Sequence, residues 1–252
     1  MRAISIFACH AAPLLLVVAG CNLPGRPEAE PEVLRPESVM SFDALYGENC
    51  AGCHGINGRN GVALSLANPE FQALVGDATL RDVIANGEEG TLMPAFKKEG
   101  ALTDAQIDML IKEIRRRWQK PNAFGGATPP PFKATHPGDA GKGLQVYAAA
   151  CASCHGESAQ KPGEHGSILD GAFLALINEQ TVRTTIIAGR PDIGQPDWRN
   201  HIKGRWLSDD EITDVTAWLM AQRSANPVQP YPNRNLPAGK PGKAQPLASK
   251  QP

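Results

Sequence analysis

An excess of one charge sign is missing from this sequence. Its 25 Lys and Arg stand against 26 Asp and Glu, a net charge of −1 over 252 residues, which gives no general pull toward nucleic acid. Aromatic residues are few, at 6 %, while Gly (25) and Pro (22) are plentiful. That balance implies loops and linkers rather than one large aliphatic core. Beyond the N-terminal segment no apolar run approaches the ~20 residues of a membrane-spanning helix. No segment alternates as a strand, and no acid–base pair, phosphate loop or nucleophile constellation stands out. No catalytic residue is therefore assigned.

What is present begins with a targeting segment. Arg2 supplies a positive start, and Ile4 to Val18 is mostly apolar yet too short to span a bilayer. The run "LVVAGC" puts small residues directly before Cys21. This resembles the lipobox of bacterial lipoproteins. The resemblance implies that residues 1–20 are a signal peptide, that Cys21 is lipidated, and that the chain is exported and anchored to a membrane, facing the periplasm. An ordinary signal peptide, with Cys21 incidental, is the alternative. Residues 21–40, rich in Pro and Glu, read as a tether. Residues 123–136 read as a Gly/Pro linker, and residues 227–252, with basic residues and no acids, as a disordered Pro-rich tail.

Between these segments the chain repeats itself. "GENCAGCHG" matches "AAACASCHG", and Phe71 to Phe96 align on Phe173 to Trp198 without a gap. "LTDAQIDMLIKEI" then matches "LSDDEITDVTAWL". Two copies of one domain follow, at residues 41–122 and 137–226. Each copy reads as helical. One helix runs into the first Cys. A middle helix carries Leu80, Val83 and Ile84, or Val182, Thr185 and Ile186. A last helix starts at an N-cap, Thr103 or Ser208. In the first copy its apolar stripe is Ile107, Leu110, Ile111, Ile114 and Trp118.

The strongest chemical signal is C-x-x-C-H, present twice: Cys50, Cys53 and His54, then Cys151, Cys154 and His155. It reads as c-type haem attachment. Two thiols one helical turn apart can bond two vinyl groups along one porphyrin edge, and the next residue directs an imidazole at the iron. A shared zinc site would have to join Cys pairs from different repeats. A thioredoxin-like motif wants a βαβ context. Disulfides would leave both His unexplained.

With its helix order and its loop after C-x-x-C-H each copy resembles a class I c-type cytochrome, the first also in its Met-Pro segment "TLMPAF". The resemblance implies an all-α fold of two tandem cytochrome c domains. Each domain is a few helices wrapped round a covalently bound haem, with Tyr46 and Tyr147 packing near Trp118 and Trp218. It implies two c-type haems, His54 and Met93 as axial iron ligands of the first, and His155 as proximal ligand of the second. Such a chain transfers electrons and needs no catalytic residue. By analogy its partners are redox proteins of a respiratory chain, such as a quinol-oxidising complex, a terminal oxidase or another cytochrome, with no nucleic acid. A haem enzyme with an open second site, peroxidase-like or sulfur-oxidising, and a fixed subunit of a larger oxidoreductase are the alternatives.

The second copy departs at one place. In "DIGQPDW" Gln195 stands where Met93 stands in the first copy. The distal side of haem 2 is then the Gln195 amide, a water held by it, or nothing. His165 and His201 read more readily as surface residues, and Met220 lies near the end of the last helix. Arg190, Arg199, Lys203 and Arg205 cluster at this loop, either as a solvated surface or as a docking rim for a partner.

Overall fold

The computed structural model describes residues 34–223. The leader, Cys21, most of the tether and the basic tail lie outside the described residues. The described residues from Pro36 to Arg223 belong to one compact unit, which contains both repeats.

The first repeat is built from α1 (Phe42–Asn49), α2 (Ala51–His54), α3 (Pro69–Leu74), α4 (Asp77–Asn86) and α5 (Asp104–Trp118). The second follows the same order with α6 (Ala140–Ala150), α7 (Ala152–His155), α8 (Gly171–Ala175), α9 (Glu179–Ala188) and α10 (Asp209–Ala221). The expected caps are present. Thr103 and Ser208 each accept from the backbone three residues on, and Gln106 and Glu211 reach back to close a capping box. That arrangement satisfies two N–H groups left open at a helix start. Asn68 and Asp170 start α3 and α8 by accepting from two backbone N–H groups each.

Each repeat has its own core. The first gathers Leu45, Phe71, Leu80, Ile84, Ile107, Leu110 and Ile114. The second gathers Val146, Val182, Ile186, Trp198, Ile212, Val215 and Leu219. The stripe on α5 packs inward as its spacing predicts, with Ile107 and Leu110 fully enclosed. Truncating either to Ala would cost about 2–5 kcal/mol. The first and last helices of each repeat meet through aromatic rings. Tyr46 lies edge-on to Trp118 at 5.4 Å, and Tyr147 lies 4.6 Å from Trp218. In the second repeat the helices also meet at Gly143, where a Cβ would stand 2.1 Å from the Asp214 carbonyl oxygen.

The absence of strands does not hold entirely. β1 (Gly156–Ser158) and β2 (Lys161–Pro162) form a small antiparallel pair directly after α7. Pieces of three and two residues are too short for an alternating pattern to be visible in a sequence. Nor is the Gly/Pro segment a free spacer. Phe124 is buried 5.2 Å from Trp198. Arg183 on α9 donates to the Pro131 carbonyl at 2.7 Å, and Gln180 donates to that of Phe132 at 2.8 Å.

The two repeats are bonded to each other. Asn68 donates its amide to the carbonyls of Ala188 and Gly189, and Asn178 donates to Glu88 and to the Glu89 carbonyl. Ala188, at the end of α9, is a member of the first core.

Candidate haem sites and the loop between them

Both C-x-x-C-H motifs form a single turn of helix, α2 and α7, entered at the first Cys. The four thiols are unpaired. Burial pushes the Cys50 and Cys151 thiols up to about 12, helped by their Cys neighbours. The turn ends at a glycine with positive φ, Gly55 or Gly156. A Cβ at Gly55 would collide with the Arg59 carbonyl. The glycine lets the following loop fold back under the histidine.

That loop fixes the imidazole. His54 Nδ1 lies 2.8 Å from the Leu64 carbonyl oxygen, and His155 Nδ1 lies 3.2 Å from that of Gly166. A carbonyl only accepts, so Nδ1 carries the proton and Nε2 presents its lone pair. Burial lowers the pKa of both rings, against the carbonyl bonds that would raise it. Both are thus held as neutral imidazoles in one tautomer, the state a metal requires. A tyrosine braces each turn. Tyr46 donates to the Gly55 carbonyl at 2.8 Å, and Tyr147 donates to that of Gly156 at 2.7 Å. The carbonyls of Leu64 and Gly166 lie in loops without periodicity, and no sequence signal points to them.

Met93 is half-buried against the first core. Its N–H donates to Thr91 Oγ1 at 3.1 Å, and its carbonyl accepts from Glu88. Gly87 ends α4 at positive φ, where a Cβ would stand 2.8 Å from the Met93 carbonyl oxygen. The chain therefore turns directly from α4 into the Met-Pro loop. Free thiols, oriented imidazoles and a packed thioether form a donor set that suits a covalently attached haem. The two Cys pairs stay in separate repeats. Among the described residues no group of three or more His, Cys, Asp or Glu converges on a metal position, so the shared-zinc alternative has no geometric support.

The second distal loop is arranged differently. Gln195 is half-buried, and both its N–H and its carbonyl pair with the backbone of Arg190. Arg190 and Asp192 then turn toward the first domain. They form an ion pair at 2.9 Å with side chains only 8 % and 5 % exposed. Arg190 donates to the Gly61 carbonyl at 2.9 Å, and Asp192 accepts the Asn60 N–H at 2.8 Å. Residues 60 and 61 belong to the loop that carries Leu64, the anchor of His54. The charge of Arg190 adds to the burial that lowers the His54 pKa.

Two residues of that cluster, Arg190 and Arg199, are turned away from a docking rim. Arg190 is spent on the domain interface. Arg199 pairs with Asp197 and Glu70, donates to the Phe124 carbonyl and stacks on Trp198. Arg205 pairs with Glu211 at the surface, and Lys203 is an exposed cation with no such pair among the described residues. The spacing of charges along the loop gave no sign that two of them point inward. His165 is exposed, as expected, in the loop after β2. His201 is not: its Nε2 is shut off from solvent and has no hydrogen-bond partner among the described residues.

The geometry agrees with what the chain resembles. Residues 37–112 match the family model described as cytochrome C oxidase, cbb3-type, subunit III, and residues 140–223 match that of cytochrome c. The cbb3-type cytochrome c oxidase subunit FixP of Azorhizobium caulinodans is 29 % identical over 203 residues, covering 76 % of this chain and 62 % of the relative. The corresponding subunit CcoP of Azospirillum sp. strain B510 is 31 % identical over 196 residues, covering 68 % and 61 %. CcoP of Rhodobacter capsulatus is 29 % identical over 190 residues, covering 70 % and 59 %. The chain spans about three fifths of the length of these relatives. One family match falls on each repeat, so both repeats are cytochrome c domains, each with its own c-type haem site. Among the described residues no helix is long and apolar enough to cross a membrane.

Proposed function

We propose that this chain, a di-haem class I c-type cytochrome, carries electrons in a respiratory chain, from a quinol-oxidising complex toward a terminal oxidase. Cys50 and Cys53 would hold the first haem and Cys151 and Cys154 the second, with His54 and His155 as proximal ligands and Met93 as the distal ligand of the first. When bound, each haem supplies a one-electron iron couple. The protein's own groups keep both imidazoles neutral and fixed, so little rearrangement accompanies a change of oxidation state. A thioether favours Fe(II) and raises the first potential. With Gln195 in place of Met, the second site lacks that ligand and has the lower potential. Electrons would then enter at the second domain and leave through the first.

The observation that carries this reading is the contact of the second distal loop with the first proximal loop, through Asp192 to Asn60 and Arg190 to Gly61. It holds two haem sites in one unit. The test is stopped-flow kinetics of the purified holoprotein. A quinol-oxidising complex should reduce it, a terminal oxidase should oxidise it, and a potentiometric titration should show two one-electron steps. Turnover of peroxide or a sulfur compound, without electron exchange with either complex, would favour the haem-enzyme alternative instead.

The similarity to cbb3-type oxidase subunits favours a second form of the same reading, in which the chain is a fixed subunit beside an oxidase rather than a mobile carrier. Co-purification with oxidase subunits in mild detergent separates the two. In either form the membrane attachment is the lipid on Cys21, with both domains in the periplasm.

A further inference from the structure

The loop between the second distal segment and α10 is longer than its counterpart. Six positions lead from Phe96 to Leu102, but nine lead from the equivalent Trp198 to Leu207. In the first domain the chain closes at once, with Phe96 O accepting from the N–H groups of Ala101 and Leu102. In the second, Trp198 O accepts from Leu207, and the extra residues form a bulge pinched by the bridge between Ile202 and Arg205. His201 lies at this bulge.

Its side chain turns inward. Burial lowers its pKa, and the carbonyls of Ile186 and Ala150 lie beside the ring. Ala150 is the residue directly before Cys151, and Ile186 is on α9, so the imidazole sits between the two helices that lead into the second haem site. The nitrogen left over is Nε2, buried and unpartnered. A buried imidazole nitrogen without a partner costs stability, and native structures rarely keep one unless something is supplied there. His54 and His155 likewise have a backbone carbonyl beside the ring, although their Nε2 atoms are not sealed off as that of His201 is. Gln195 differs in enclosure: its backbone pairs with Arg190 and its carboxamide is also unbonded among the described residues, but no atom of that carboxamide is shut off from solvent and left unpaired.

We propose that His201, rather than Gln195, is the distal iron ligand of the second haem, so that this chain pairs a His/Met centre with a bis-histidine centre. This rests on the reading of both domains as haem-bearing. The extra residues after Trp198 are then the compensation for the missing Met. The repeat lost its thioether at one position and gained an imidazole six residues later on a longer loop. Two imidazoles also leave the second iron with the lower potential, since neither favours Fe(II) as a thioether does.

The experiment uses the full-length holoprotein. Low-temperature EPR and near-infrared magnetic circular dichroism should show two low-spin ferric centres, one His/Met and one bis-histidine. His201→Gly should turn only the second haem high-spin and let it bind CO when reduced. Added imidazole should restore the low-spin signal, which a merely structural role for His201 would not allow. Gln195→Met should leave the bis-histidine signal in place. The proposal is overturned if the second haem is high-spin in the unaltered protein, if His201→Gly leaves it low-spin, if imidazole fails to rescue it, or if Gln195→Ala alone removes the sixth ligand. A mass lacking two haem increments would instead overturn the reading on which the proposal rests.

Discussion

Asn68 holds the end of α9: its side-chain amide donates to the carbonyls of Ala188 at 2.9 Å and Gly189 at 3.0 Å, across the boundary between the domains. The oxygen of the same side chain caps α3 by accepting from Glu70 and Phe71. Asn68→Ala loses both roles and should cost about 2 kcal/mol. Asn68→Asp keeps the cap but sets a carboxylate against two carbonyl oxygens, and should cost at least as much. Thermal unfolding of the two variants measures this. If Asn68→Asp melts with the unaltered protein, the amide does not join the domains.

Met93→Ala tests the first distal ligand. One haem should lose its low-spin spectrum and its high potential, and the other should keep both. A loss of about 3 kcal/mol of preference for Fe(II) would lower the potential by about 130 mV for one electron. An unchanged redox titration would place the ligand elsewhere.

Much of this was legible in the sequence because it is local. The C-x-x-C-H turns, the caps at Thr103 and Ser208 and the stripe on α5 each depend on residues within one or two helical turns. The distal difference was legible only as a substitution, Met93 to Gln195. The gapless alignment that exposed it stops at Trp198, just before the longer loop that carries His201. Burial of Arg190 and Asp192 was not legible at all, since their partners Asn60 and Gly61 lie some 130 positions away. A charged loop reads as solvated unless its long-range neighbour is known. Phe124 was hidden for a related reason: one aromatic in a Gly/Pro segment has no periodicity, and only the opposite surface of Trp198 makes it core.

Cys21→Ser tests the anchor. The variant should still acquire two haems, because both haem sites lie beyond residue 49, but it should appear in the soluble periplasmic fraction. Mass spectrometry of the unaltered protein should show an acylated N-terminal Cys21. Retention of the variant in the membrane would point to attachment through another subunit.

Asp192 links stability to redox potential. Burial raises its pKa, but the bond from Arg190, the Asn60 N–H and the Arg190 charge more than offset this, so its carboxyl sits below the usual aspartate range. Its contribution is therefore present above the unfolded aspartate value of about 3.9 and is lost as pH falls through the lower folded value. At neutral pH the ion pair is intact, and acid unfolding should show the loss of this group in that low window. Asp192→Asn removes the charge at every pH. Breaking a pair this enclosed should cost on the order of 3 kcal/mol, and it leaves Arg190 uncompensated near His54. A positive charge there disfavours Fe(III), so the potential of the first haem should rise by a few tens of millivolts (on the order of 1 kcal/mol). The second haem should shift less. Asp192→Asn should also abolish the low-pH step in stability. A variant with that step intact, or with the first potential unchanged, would show that the Arg190–Asp192 pair neither clamps the domains nor tunes the haem beside it.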